Sequence, residues 1–485
     1  MGIVFKQSLS NLIITYVGFG IGAINTLFLY TQFLTDAYYG LVGVILSTSA
    51  ILMPLMAFGV PNTIVKYYSN FQHGKTLDGF LTLMLLLPLL LIIPIALLSF
   101  VAEDAIGLFL ANKNLIVKDY VWYIFLIAIA MAYFEIFYAW SKVQMRSVFG
   151  NFMKEVFVRV GVSVLLLLVY FDVISVSVFL KALVGVYLLR TFLMKLYVVR
   201  FKMIRIQFRF PKMTRDILTY STLIILGGST AVVLLEIDRF MINQFIQIEN
   251  VAYYTVAIFI ASVIAVPSRA MHQITYPLTA ELMNRKDLVA LKKLYQKSSL
   301  TLFIVAGLVF ALIVLNLNDL FLLVPEAYRG GFYIVGLIGL AKVFDALLGN
   351  NNAILFNSDY YRALLLMGAF LAICAVLLNI WLIPVFGING AAIASFSAVV
   401  IYNGIKLIYV KSKFKIQPFT RETGKVLLLL VVVCVLFYAL QFSFHPMINI
   451  TLKSILICAM YIGILYRFKI SEDVFGILTK YLGPK

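Results

Sequence analysis

The chain has 485 residues, 63% hydrophobic and 12% charged, with a mean hydropathy of +1.02 and a formal charge of +18. Soluble chains are about half apolar and about a quarter charged, so a water-soluble fold is excluded, and no soluble basic segment is present that would bind nucleic acid. Hydrocarbon is the matching solvent; there every backbone N–H and C=O must be paired within the protein, so long uniform apolar runs mean helices, whereas a barrel would show short alternating segments.

A spanning helix needs about 20 apolar residues. In chain order the runs are Leu9–Tyr30, Tyr38–Gly59, Phe80–Ala102, Tyr120–Ser141, Phe152–Tyr170, Val176–Val198, Ile217–Leu235, Val251–Pro267, Ser298–Leu315, Gly331–Gly349, Tyr361–Ile383, Ala391–Val410, Val426–Phe442 and Leu452–Tyr466, about fourteen spans. The opening MGIVFKQSLSN runs directly into the first span without a cleavage site, so that span is expected to be retained. With the N-terminus in the cytoplasm, 33 of the 39 Lys and Arg fall on the cytoplasmic side and six on the other. The positive-inside rule therefore predicts both termini cytoplasmic. The heaviest basic stretch, Arg190 to Arg215, joins spans six and seven. External loops are short, and none is long enough for a soluble catalytic domain.

An internal repeat is legible. Ala37-Tyr38-Tyr39 opens span two and Ala252-Tyr253-Tyr254 opens span eight, an offset of 215; Phe171 and Phe386 share that offset. Pro54 and Pro267 are 213 apart, and Phe134-Glu135 and Phe344-Asp345 are 210 apart. Six spans is an even number, so the two halves have the same orientation, the parallel-repeat plan of many transporters. The expected organisation is all-α: residues 1–200 as one six-helix lobe, 201–415 as a second in parallel pseudo-twofold arrangement, and 416–485 as two further helices and a cytoplasmic tail.

Candidate functional residues follow from polar groups inside these spans. Asn11, Thr15, Gly18, Gly22 and Asn25 lie on one face of span one. Such a stripe fits either close helix packing through Gly18 and Gly22 or, at Asn11 and Asn25, a cavity wall. Span seven carries Gly227, Gly228 and Ser229 and then Glu236, Asp238 and Arg239, a charge cluster at a helix end or a gate. Glu135 in span four and Asp345 in span ten lie deeper, where charge faces the protein interior or water. They are candidates for ion coupling, or, for Asp345, for a salt bridge with Lys342. Lys66, Lys142, Arg146, Arg159 and Arg269, the last beside His272, sit near cytoplasmic helix ends. There they serve as ordinary snorkelling residues or as phosphate ligands, since Lys and Arg make charge-assisted bonds to phosphate; Glu155 and Arg159 have the spacing of an i,i+4 pair. Pro54 and Pro267 are candidate hinges. Three cysteines lie in apolar runs, His73, His272 and His445 are far apart, and no Walker loop is present, so no metal, cofactor or ATP hydrolysis is expected. Leu235-Glu236-Ile237-Asp238 contains the acidic-x-acidic trio of membrane glycosyltransferases, without the large external domain that normally accompanies it.

Leu34-Thr35-Asp36-Ala37-Tyr38-Tyr39-Gly40, the passage Ile237-Asp238-Arg239-Phe240-Met241-Ile242 followed by Val251-Ala252-Tyr253-Tyr254, and Gly387-Ile388-Asn389-Gly390-Ala391-Ala392 together resemble the oligosaccharide flippases of the multidrug/oligosaccharidyl-lipid/polysaccharide exporter superfamily, over essentially the whole length. The resemblance implies two lobes around a cavity lined by helices 1, 2, 7 and 8, with a cationic interior for a lipid diphosphate and its glycan. It implies a bacterial inner-membrane protein that is not an enzyme and moves a polyprenyl-diphosphate-linked oligosaccharide by alternating access. Its expected partners are that substrate, membrane lipids, H+ or Na+, and other polysaccharide-assembly proteins. Span one lacks an arginine, which turns the expectation away from peptidoglycan precursors and toward capsule, O-antigen or exopolysaccharide units. The alternatives are a cation-coupled multidrug exporter of the same superfamily and a membrane polymerase or glycosyltransferase.

Overall fold

A computed structural model of the protein describes residues 2–71, 75–201, 205–228 and 230–471; Ser229, His73 and Lys202 lie outside them. Fourteen long helical segments follow one another: α1 (residues 2–33), α2 (Asp36–Met56), α3 (Lys75–Val101), α4 (Val121–Val143), α5 (residues 147–170), α6 (Val176–Phe201), α7 (residues 214–228 and 230–245), α8 (residues 249–284), α9 (Leu288–Leu315), α10 (Phe332–Leu347), α11 (Tyr361–Phe386), α12 (Ile388–Phe414), α13 (Arg421–Tyr438) and α14 (Pro446–Arg467). No strand occurs among the described residues. Eleven of the fourteen are long and apolar enough to cross a membrane. The other three are α5, α7 and α13, each of which carries charged residues within its length. The protein is an all-α integral membrane protein, as its apolar runs require.

Several helices outrun their apolar windows. The C-terminal ends of α6, α8 and α12 extend to Phe201, Asn284 and Phe414, and α9 starts at Leu288. The added turns hold Lys and Arg. Hydropathy marks the hydrocarbon thickness, whereas the backbone ladder continues into the headgroup layer, where long basic side chains reach water.

The described residues form two compact units, Met1–Thr255 with Asn379–Gly387, and Val256–Leu378 with Ile388–Lys485. In the first, α4 packs against α2 and α6, around Phe80, Phe134, Trp140 and Met194. In the second, α10 packs against α9 and α12, and α9 against α13. Its core holds Phe303, Phe310, Leu430 and Tyr461. The fourth and sixth helices of the repeat thus pair within each unit.

The sequence places interruptions where the helices change type. α1 contains a π-helical turn at Asn25–Leu29 and α5 another at Met153–Phe157; such turns insert one residue into the helix. α2 ends two residues after Pro54, and the chain reverses through Phe58 (φ 52°) and Gly59 (φ 65°). A short helix, Val60–Tyr67, follows. Pro267 does not break a continuous span. It stands in the first turn of the Val266–Asn284 segment of α8, after a 3-10 turn at Val263–Ala265, where its missing N–H costs nothing.

Gly59 is required twice over. Its φ is left-handed, and a Cβ there would lie 2.3 Å from the Ser221 carbonyl oxygen, beside the 2.7 Å contact of the Thr63 and Ser221 hydroxyls. Gly59→Val combines backbone strain with overpacking, roughly 1–3 kcal/mol for each. The expected outcome is a thermal midpoint in detergent several degrees below that of the parent; an unchanged midpoint would show that α2 and α7 do not need this close approach.

Candidate functional site

In the first unit the C-terminal part of α4, the start of α5, the end of α2 and the short helix Val60–Tyr67 enclose a cavity of about 240 Å³. Pro54, Asn62, Glu135, Lys142 and Lys154 are among its walls, and Glu135 is the one carboxylate in the described lining. Glu135 and Lys142 share a face of α4, two helical turns apart. Lys154 comes from the π-turn of α5 and donates to Glu135 Oε1 at 2.5 Å. The pair is not sealed: the Lys154 side chain is 43% exposed and that of Glu135 19%.

The other cations of this region rest on aromatic rings rather than carboxylates. Lys142 Nζ lies 3.9 Å from the Tyr138 ring centroid, Lys66 Nζ 3.8 Å from that of Tyr220, and Arg146 Cζ 3.7 Å from that of Phe201. Arg190, from α6, is only 6% exposed and sits over Phe134 and Tyr187 at 4.1 and 4.9 Å; its Nε has no hydrogen-bond partner. Among the described residues none of Lys66, Lys142, Arg146 and Arg190 forms an ion pair. A ring face attracts a cation through its quadrupole without cancelling its charge. In the cavity lining Lys142 and Lys154 face Glu135 alone, which leaves one positive charge uncompensated, and Arg190, buried outside the lining, adds a second cation with no ion pair.

The α1 stripe lies against α5. Asn11 donates to Ser147 Oγ at 3.0 Å and its carbonyl accepts from Asn151. A Cβ on Gly18 would lie 2.6 Å from the Glu155 carbonyl oxygen. Asn25, buried at the π-turn, donates to the Arg159 carbonyl oxygen at 2.8 Å and accepts from Ser163 at 2.6 Å. Both asparagines bond to α5, with Asn11 Oδ1 left without a partner, and Arg159 is paired with Glu155 at 2.8 Å.

The α7 charges are partnered too. Glu236 accepts from Arg239 at 2.5 Å. Asp238, buried, accepts from the Tyr254 hydroxyl and, at 2.9 Å, from Asn379 Nδ2. Tyr253, the other half of the repeated Tyr-Tyr pair, donates to Asp36 at 2.9 Å.

The second unit holds a related cluster. Lys406 of α12, 1% exposed, donates to Asn352 Oδ1 at 2.8 Å and lies 4.0 Å from Asp345 of α10, which also accepts from Asn403 at 3.4 Å. His272 stacks on Tyr276 with ring centroids 5.2 Å apart. Tyr276, Asn352 and Phe356 line a mostly apolar cavity of about 520 Å³. Arg269 is exposed on α8, two residues after Pro267.

Of the residues anticipated from sequence, the structure brings together Pro54, Glu135 and Lys142 at one cavity, with Lys66 and Arg146 on neighbouring elements; Arg269 and Asp345 belong to the other unit. Lys154, Arg190 and Lys406 escaped sequence reasoning because each resembles a snorkelling residue at a helix end. One signal was available: Arg190 and Lys406 are 216 residues apart, within one residue of the repeat offset, and each lies on the sixth helix of its half.

Asp238 provides a test of whether the α7 cluster is structural. Asp238→Ala leaves two donors without their acceptor, a loss of about 3 kcal/mol, whereas Tyr254→Phe removes one bond and costs about 1 kcal/mol. The expected outcome is a graded fall in thermal midpoint in detergent; an Asp238→Ala protein as stable as its parent would leave the cluster without a packing role.

Comparison with known proteins gives the same architecture. The family model described as "Polysaccharide biosynthesis protein" matches residues 4–283, more than half of the chain. No curated protein matches the sequence. Among solved structures, the chain is similar to a lipid II flippase, MurJ, in an inward closed conformation, with a TM-score of 0.71 at 14% identity, covering 96% of this chain and 100% of that one. It is also similar to an inward-facing multidrug resistance MATE family transporter of the MOP superfamily, with a TM-score of 0.61 at 14% identity and coverage of 84% and 98%. A MOP superfamily transporter from Pyrococcus furiosus follows with a TM-score of 0.56 at 13% identity, covering 85% of this chain and 95% of that one. The fold is the one seen in these solved flippase and transporter structures. With the family model spanning more than half of its length, the chain belongs to the polysaccharide biosynthesis protein family.

Proposed function

We propose that the protein is a flippase for a polyprenyl-diphosphate-linked oligosaccharide, acting by alternating access in the cytoplasmic membrane of a bacterium, with both termini cytoplasmic and its helices grouped as two six-helix lobes and two further helices. The observation that carries this reading is the uncompensated charge of the first unit's cavity, where aromatic rings hold cations in place without neutralising them. Charge left in a low-dielectric region is costly unless a ligand supplies the counter-charge, and a diphosphate offers about two negative charges and several acceptor oxygens. Lys142 and Lys154 would take the diphosphate, and Lys66 and Arg146, exposed on the flanking elements, would draw it in. Family membership in polysaccharide biosynthesis supports an oligosaccharide as the cargo. A cationic cavity disfavours the cationic compounds that a drug exporter would carry.

Lys142→Gln and Lys154→Gln each remove one charge-assisted phosphate contact, about 1.5–3 kcal/mol, and each is expected to lower transport of a lipid-diphosphate-linked oligosaccharide into proteoliposomes roughly tenfold or more. Lys66→Gln and Arg146→Gln should have smaller effects that fade at high salt. In cells, deletion of the gene should abolish surface polysaccharide and leave drug sensitivity unchanged. The opposite pair of phenotypes would identify an exporter, and sugar transfer by the purified chain a polymerase or glycosyltransferase.

A further inference from the structure

We infer that Glu135 is a resident counter-anion: it holds Lys154 while the cavity is empty, gives it up to the arriving diphosphate, and so excludes anions too weakly charged to displace it. The inference rests on the diphosphate reading above and concerns the selectivity of that site.

Glu135 is the one carboxylate in the described lining of the cavity, and it contacts one of the two lysines there and not the other. If its role were to neutralise the site, a single charge against Lys142 and Lys154 would be the wrong stoichiometry. It does match a role in which one cation is reserved and the rest stay available. The Glu135–Lys154 pair is partly exposed, at 19% and 43%, so it is held less firmly than a sealed ion pair. Lys154 stands on the π-turn Met153–Phe157, a helix irregularity that gathers at functional sites. Its neighbour Glu155 is committed to Arg159, so Lys154 has no second carboxylate on its own turn.

The consequence is selectivity by difference. With Glu135 present, a ligand must offer Lys154 more than a carboxylate does. A diphosphate, with two phosphoryl groups and a larger set of acceptor oxygens, can engage Lys154 and Lys142 together; a single orthophosphate, of similar charge near neutral pH but with one phosphoryl group, gains less once the carboxylate has to be displaced. Specificity then lies in the cost imposed on the wrong anion. Glu135→Gln keeps the size and polarity of the side chain and removes that cost.

The test is isothermal titration of the purified full-length chain in nanodiscs at fixed ionic strength, with inorganic pyrophosphate and orthophosphate as probes. The parent is expected to bind pyrophosphate and to bind orthophosphate far more weakly. E135Q should bind pyrophosphate about tenfold more tightly, as one fewer competing charge at this range implies, and should gain measurable orthophosphate binding. The double variant E135Q/K154Q should lose that gain. E135D, which keeps the charge but shortens its reach, covers the case in which E135Q does not fold; it should show part of the pyrophosphate gain. Pyrophosphate binding by the parent with equal or weaker binding by E135Q, or by E135D in that case, would overturn the inference and leave the diphosphate reading standing, with Glu135 merely positioning Lys154. A parent that binds no pyrophosphate, with K142Q and K154Q indistinguishable from it, would overturn both.

Discussion

A charge or a bare peptide group in hydrocarbon has no water to turn to, and most of this molecule can be read as the answer to that constraint. The backbone answers with helices, fourteen long segments and no strand among the described residues. The polar side chains inside them answer with partners. Asp238 takes Tyr254 and Asn379, Glu236 takes Arg239, Glu155 takes Arg159, and Lys406 takes Asn352 and Asp345. Asn25 sits where α1 gains a residue and ties that turn to α5. Asp238, Glu236 and Asn25, which look like candidate ligands in the sequence, are each bonded within the protein.

Against that background the basic residues around the first unit's cavity stand out by what they lack. Lys142, Arg190, Lys66 and Arg146 each lie on a ring, and among the described residues none forms an ion pair. A cation–π contact is worth about 0.5–2 kcal/mol, enough to fix the side chain and too little to replace a counter-ion. The repeat sharpens the contrast. In the second unit the sixth-helix cation Lys406 has the fourth-helix acid Asp345 within 4.0 Å and an amide besides. In the first, the sixth-helix cation Arg190 rests on rings and forms no ion pair, while the fourth-helix acid Glu135 is engaged by Lys154 of α5. The two units thus differ in how their buried charges are balanced.

The interruptions serve the same site. Pro54, Phe58 and Gly59 end α2 and turn the chain back so that Pro54 and Asn62 face one cavity. The π-turn of α5 puts Lys154 at the cavity and leaves Glu155 for Arg159. Pro267 has no equivalent break: it begins a helical segment after a 3-10 turn, so two prolines at matching places in the repeat have different local consequences.

Sequence by itself determined the solvent and the helix class, because hydropathy and its period are properties of consecutive residues and need no knowledge of what they touch. It also marked Glu135, Asp345, Lys142 and Asp238, since charge within an apolar run is visible locally. Only the tertiary structure decided what each charge meets. Whether Asn11 and Asn25 pack or line a cavity depends on α5, more than a hundred residues away. Whether Lys142 is neutralised depends on whether a carboxylate or the Tyr138 ring lies over it. Lys154 and Arg190 gain their meaning only when α4, α5 and α6 come together, because an electrostatic balance is a sum over neighbours in space and the chain order does not contain it.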